Sequence, residues 1–242
     1  MTLRATRRDL PAIAVGVAMT ILGLALGNWQ TRRGDIKELM EEQWEAADRA
    51  APFAIQRGED AQAVADRVPL RVVIRGEFLP EATVFVDNRV LDSVAGFQVV
   101  TPMRLEGGAT VLVNRGWVAR DARDPTRLPE LTTPRGPLLV EGMAVARVPR
   151  LLELASLAPA ALPGIWPNFE FDDYEQVAGL QVPRFVVQQT SAGGDGLRRG
   201  WVRPATGVEK HRGYALQWYG LAALSAGLTL YFGGRALRRS SS

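Results

Sequence analysis

The sequence predicts a membrane protein in which two transmembrane helices flank a single, mostly antiparallel β-rich domain, barrel- or sandwich-like, with minor helix. Two observations carry that expectation. Residues 10–31 and 213–234 are uncharged throughout, and at about 1.5 Å per helical residue each stretch reaches across a hydrocarbon layer of roughly 30 Å. Between them lie short runs rich in Val, Ile, Leu, Phe and Thr, parted by Gly and Pro, at a spacing that suits an antiparallel sandwich or barrel. A mean hydropathy of -0.03 conceals this segregation along the chain.

Composition removes whole classes of chemistry. Without Cys there is no disulfide framework, thiolate nucleophile, iron–sulfur cluster or Cys-ligated zinc. A single His excludes a multi-His metal site. The balance of 29 Lys plus Arg against 26 Asp plus Glu, a net charge of +3, is too mild for the dense basic face of a nucleic-acid binder. No nucleophile elbow, phosphate-cradling loop or dinucleotide fingerprint occurs, so no catalytic centre is expected and the chain reads as a non-enzyme.

The elements follow in order. Residues 1–9 form a short basic tail with Arg4, Arg7 and Arg8, and residues 235–242 a second with Arg235, Arg238 and Arg239. Both tails are predicted to be cytoplasmic, because basic short segments stay on that side. The basic outer flanks, Arg32, Arg33 and Lys37 on one side and Arg198, Arg199, Arg203, Lys210 and Arg212 on the other, border a segment too long for the rule to govern. Small residues fill both spans, and Trp29, Tyr214, Trp218, Tyr219 and Tyr231 stand where aromatic rings favour the headgroup zone. Two rival readings of the first span are a cleaved signal peptide, with Ala25-Leu26-Gly27 as the cleavage site, and a twin-arginine export signal on Arg7-Arg8. The absence of an amphipathic presequence points to a bacterial inner membrane with residues 32–212 in the periplasm.

Ile36, Met40 and Trp44 continue at helical spacing until Pro52, so the first span is expected to extend as an amphipathic stalk. Strands are expected over residues 70–76, 83–90, 97–105, 109–118, 138–146 and 184–189, with Gly107-Gly108 turning a hairpin. Residues 121–137 and 191–200 read as loops. The acidic cluster Glu170, Asp172, Asp173 and Glu175 matches no ordered loop of calcium ligands. It is expected to be a solvated surface, with Phe169, Phe171 and Tyr174 on the buried face.

His211 stands just outside the second uncharged run, with Tyr214 three and Trp218 seven residues on, so one helix face carries all three with Gln217 beside them. Imidazole is an axial ligand for haem iron, and Arg212, Lys210, Arg32 and Arg33 are cations of the kind propionates require. The plainer reading makes His211 an interfacial anchor or a polar contact between the helices, with the Arg side chains on lipid phosphates.

A resemblance joins these features. Leu26-Gly27-Asn28-Trp29-Gln30 with Arg33 and Lys37, then Arg75-Gly76-Glu77-Phe78, Gly96 with Val100-Thr101-Pro102, Val111-Leu112-Val113-Asn114-Arg115-Gly116-Trp117-Val118, and Lys210-His211-Arg212-Gly213-Tyr214-Ala215-Leu216-Gln217-Trp218-Tyr219 resemble, in order, segments of the Surfeit-locus-one family of cytochrome c oxidase assembly factors. The resemblance implies a membrane-anchored chaperone for haem-copper oxidases. It implies that haem a is bound and helped into the catalytic subunit, with cytochrome c oxidase subunit I and haem a synthase as expected partners beside the lipid bilayer. His211 becomes the candidate iron ligand, with Tyr214, Gln217, Trp218, Arg33 and Arg212 around the cofactor. Gly116 is expected in a turn, and Asn114, Arg115 and Trp117 are either structural there or a docking surface. Glu209, where many relatives carry Asn, would disfavour a nearby propionate. A haem-independent scaffold that docks on oxidase subunits is the alternative function.

Overall fold

The computed structural model describes residues 10–150, 161–201 and 207–239. The first tail, with Arg4, Arg7 and Arg8, lies outside them. The described chain forms two compact units, residues 44–203 and the terminal helices on either side of that stretch.

Residues 44–203 contain a curled eight-stranded sheet. Its strands are β1 (Phe53–Ile55), β2 (Leu70–Phe78), β3 (Val84–Leu91), β4 (Val94–Leu105), β5 (Thr110–Ala119), β6 (Leu138–Val145), β7 (Gly164–Trp166) and β8 (Val186–Gln189). The order is β1-β2-β6-β8-β5-β4-β3-β7, and β2 also pairs with β4. That extra pairing, Gly76 to Phe78 against Leu105 to Met103, closes β2, β6, β8, β5 and β4 into a barrel. β4 manages it by giving one edge to β5 while its other edge serves β3 first and β2 afterwards. Closure leaves no free edge within the ring. At Gly76 a Cβ would lie 2.1 Å from the Arg104 carbonyl oxygen, so only glycine lets β2 approach β4 here.

Of the anticipated architectures the barrel is realised. Pairing is antiparallel where long strands meet and parallel at β1–β2, β3–β7 and β5–β8. The anticipated strands are present within a few residues of their expected ends. β1 and β7 are additions, each only three residues long, too short for alternation to reveal them. Gly108, at φ +85, turns the β4–β5 hairpin, whose ends meet through Leu105 N–H donating to the Ala109 carbonyl.

Two apolar layers flank the sheet. Ile55, Val72, Ile74, Phe78, Met103 and Val113 join others inside the barrel, closed by Ala61 and Val64 of α2 (Gly58–Ala65). On the other face Val84, Val100, Leu112 and Val186 pack against Trp166, Phe169 and Tyr174, the last from α3 (Phe171–Ala178). Alternate residues of β5 therefore enter opposite cores, which is why its sequence reads as a continuous apolar run. Two of the three acidic residues of α3 are paired locally, Asp172 and Glu175 both with Arg184, while Tyr174 is buried and donates to the Ala82 carbonyl at 3.0 Å.

The terminal helices are α1 (Leu10–Arg49) and α4 (Val208–Arg239). α1 runs without a break into the anticipated stalk, and its last turns, with Trp44 and Ala47, pack on Met143 and Val145. Of the two expected spans, the first is supported by length and composition. Among the described residues α1 is the one helix long and apolar enough to cross a membrane by length and composition. α4 has the length, but Gln217, Ser225, Thr229 and glycines at 213, 220, 227, 233 and 234 dilute its apolar character.

Candidate functional site

α1 and α4 pack antiparallel along a seam that the sequence prepares with glycine. A Cβ on Gly16 would meet Thr229 Oγ1 at 2.0 Å, one on Gly23 the Ala222 Cβ at 2.9 Å, and one on Gly27 the Tyr219 ring at 2.6 Å. Gly34 faces His211 at the same seam. These spacings of seven, four and seven residues place one glycine per two turns, or less, on a single face. Small residues there let the backbones approach, and polar side chains fasten them. Ser225 Oγ donates to the Gly16 carbonyl at 3.0 Å, and Tyr219 OH donates to Asn28 Oδ1 at 2.8 Å while lying 3.3 Å from Thr31 Oγ1.

His211 occupies the first turn of α4. Its Nδ1 lies 2.7 Å from Gln30 Oε1 on α1. With the amide oxygen as acceptor, Nδ1 carries a proton, and the tautomer of imidazole with that proton has its lone pair on Nε2. That is the arrangement in which a second side chain orients an imidazole for a metal.

The other anticipated cofactor residues distribute around this pair. Trp218 is half-buried, while Tyr214, at 52% exposure, and Gln217 lie on the open side of α4. The Arg33 guanidinium sits 5.9 Å from the Trp29 ring centroid. Arg212 is already paired with Glu38 of α1, so its charge is answered within the protein. The donor chemistry fits an imidazole ligand; of the two anticipated cations, Arg212 is paired with a carboxylate, whereas Arg33 has no carboxylate partner among the described residues. Gln30 was legible only as part of a motif, since its role depends on the register between two helices far apart in sequence.

The Asn-Arg-Gly-Trp stretch lies elsewhere, in β5, and corrects the expectation of a turn. Gly116 is inside the strand, at a bulge: Val99 faces Gly116 and Val100 faces Asn114, leaving Arg115 as the extra residue. Gly116 takes φ +150, and a Cβ there would lie 2.8 Å from the Arg198 carbonyl oxygen. The bulge re-aims Arg115 into the interior. Its Nη1 donates to Thr133 Oγ1 at 2.8 Å, and its Nη2 to the Thr132 carbonyl at 3.1 Å and to Asp195 Oδ2 at 3.0 Å. Phe78 offers its ring 4.8 Å from the guanidinium carbon. Arg199 also binds Asp195, with Nη2 2.7 Å from both carboxylate oxygens.

Burial pulls the Arg115 guanidinium below its ordinary pKa, opposed by its bond to Asp195. Burial pushes the Asp195 carboxyl up, but Arg199 and then Arg115 outweigh it and hold the group below the usual carboxylate range. One buried cation thus ties the loops at 121–137 and 191–200 to the barrel wall. Asn114 is fully buried with Nδ2 3.3 Å from Gln98 Oε1, and Trp117 donates through Nε1 to the Arg89 carbonyl at 2.7 Å. All four motif residues are buried, so these side chains belong to the interior of the domain.

A family model described as the SURF1 family matches residues 17–223. The chain is similar to the cytochrome oxidase assembly protein SHY1 of Saccharomyces cerevisiae, 29% identical over 121 residues, 49% of this chain and 31% of the yeast protein. It is also similar to a SURF1-like protein of Dictyostelium discoideum, 25% identical over 118 residues, 45% of this chain and 43% of that protein. A SURF1-like protein of Mycobacterium bovis is 42% identical over 48 residues, 20% of this chain and 18% of that one. Each match spans less than half of the relative's length. The family match itself runs from the apolar part of α1, through all eight strands, to the middle of α4, and this chain therefore belongs to the SURF1 family.

Proposed function

We propose that this protein is a membrane-anchored assembly factor for cytochrome c oxidase that holds haem a during its delivery to the catalytic subunit. In this reading α1 and α4 both span a bacterial inner membrane, the β-rich domain lies in the periplasm and both termini are cytoplasmic. Cytochrome c oxidase subunit I is the recipient and haem a synthase the neighbouring donor. His211 is the iron ligand, Gln30 the side chain that orients it, and Arg33 the cation for a propionate. Haem a, when bound, supplies the redox-active iron of the finished oxidase; the protein's task is to bind and orient it without a covalent step.

The observation that carries this reading is the Nδ1 to Gln30 Oε1 contact of 2.7 Å, which leaves Nε2 as the ligating nitrogen at the end of a helix pair. Protein purified from cells making haem a is expected to show a Soret band, with haem a identified by its pyridine haemochrome. His211→Ala is expected to abolish the band and Gln30→Leu to weaken it. Identical spectra for wild type and His211→Ala would remove the ligand role. Oxidase that still assembles normally with His211→Ala, but fails without the protein, would favour the haem-independent scaffold. Topology reporters fused at either terminus test the membrane arrangement, and a periplasmic C-terminus would refute it.

A further inference from the structure

Below the His211–Gln30 pair the two helices leave a groove of about 180 Å³. Its walls are Met19 and Leu22 of α1 and Leu221, Leu224 and Leu228 of α4, with Trp218 at one end. Its floor is formed where Gly23 meets Ala222 and where Ser225 bonds to Gly16. Small residues at the seam with large ones beside it create a trough: the helices touch along the glycines, and the flanking Leu side chains stand clear of each other.

The trough continues the site residue by residue. Seven residues make nearly two turns, so positions seven apart share a face within about 20°. On α4, His211, Trp218 and Ser225 form one such row, Tyr214, Leu221 and Leu228 a second, Gln217 and Leu224 a third. On α1, Arg33 stands above Leu26 and Met19, Trp29 above Leu22, and Gln30 above Gly23. The flanking rows change character together, polar and aromatic at the His211 end and aliphatic from Leu221 onward, while the row of His211 and Trp218 ends on Ser225 at the floor. From Trp218 to Leu228 the trough extends about 15 Å along the helix.

We infer that this groove is the binding site for the isoprenoid tail of the haem whose iron His211 holds. The inference rests on the haem reading above and deepens it. A polar macrocycle edge with an aliphatic chain attached matches a surface whose polar and aliphatic parts lie on the same rows, and a flexible chain laid in an apolar trough exchanges contact with lipid for contact with a preformed surface. The tail then distinguishes cofactors that share the same iron and propionates.

The test compares haem o, which has the tail but no formyl group, with haem b, which has neither. Each is titrated into the full-length protein in phosphatidylcholine nanodiscs and followed by the Soret band. Wild type is expected to bind haem o about tenfold more tightly than haem b. Leu224→Trp, and independently Met19→Trp from the opposite wall, are expected to bring haem o to within about twofold of haem b while leaving haem b unchanged. The ratio of variant to wild type cancels haem partition into lipid, and neither Leu224 nor Met19 is among the residues that meet Gly16, Gly23 or Gly27 at the seam. Equal affinities of wild type for the two haems would overturn the tail site alone and leave the groove to lipid acyl chains. Equal losses for both haems in the variants would overturn it as well. Binding of neither haem to wild type would overturn the haem reading itself, and this inference with it.

Discussion

Gly116→Ala should be among the most damaging single-methyl additions in the barrel. The residue adopts φ +150, a region that is essentially glycine's own and costs another residue about 1–3 kcal/mol. Space is also closed: the new methyl would sit 2.8 Å from the Arg198 carbonyl oxygen and 2.9 Å from Leu197 Cβ. Neither neighbour retreats easily, because Trp117 and Arg198 are held by reciprocal backbone hydrogen bonds of 2.8 and 2.9 Å. Strain and overpacking together amount to about 3 kcal/mol or more, which in a unit of this size lowers Tm by roughly 6–12 °C. Gly136→Ala is the control, since that glycine has φ +78 with nothing within 4 Å of a Cβ. It should carry only the conformational cost of about 1–2 kcal/mol. Thermal unfolding of the detergent-solubilised protein, followed by Trp fluorescence, measures both. Equal shifts for the two substitutions would show that closure around the bulge contributes nothing.

Asp195→Asn leaves Arg115 buried without its counter-charge and should destabilise the domain by about 3–5 kcal/mol, read as a shift in denaturation midpoint; a shift as small as that of a surface substitution would refute the pairing argument. Because the folded-state pKa of Asp195 lies below the ordinary value, its contribution is complete above about pH 4. The gap between wild type and Asp195→Asn should therefore close as pH falls through the folded value, and a gap constant down to strong acid would contradict it. Gly27→Leu drives a side chain into the Tyr219 ring and should part α1 from α4. In a chain without native Cys, cross-linking of the pair Gly23→Cys and Ala222→Cys should disappear in that background, and persistent cross-linking would count against the seam. Tyr219→Phe removes the bond to Asn28 and should weaken the helix pair by about 0.6 kcal/mol, measurable as a small loss of cross-linking efficiency; no loss at all would make that bond dispensable.

Much of the β-rich domain was readable because its signals are local. Alternation of apolar residues, the Gly107-Gly108 turn and the loops at 121–137 and 191–200 depend on neighbours in sequence. The short β1 and β7 escaped because three residues hold too little periodicity, and they exist only because longer strands, β2 and β3, offer them an edge. At the candidate site, the face carrying His211, Tyr214 and Trp218 follows from helix geometry alone. The partner of His211 does not, since Gln30 reaches it through the antiparallel register of two helices.

The amino-acid sequence by itself determined where apolar surface is concentrated, which segments alternate, and that one imidazole is present to act. Those properties are set by residue type and by the fixed periods of helix and strand. Only the tertiary structure decided that Arg115 turns inward at a bulge, that Arg212 is taken up by Glu38, and that β4 closes the barrel by dividing one edge between two strands. Each depends on which distant backbone supplies the hydrogen-bond partner or counter-charge that a buried polar group requires, and that choice is made by packing rather than by local propensity.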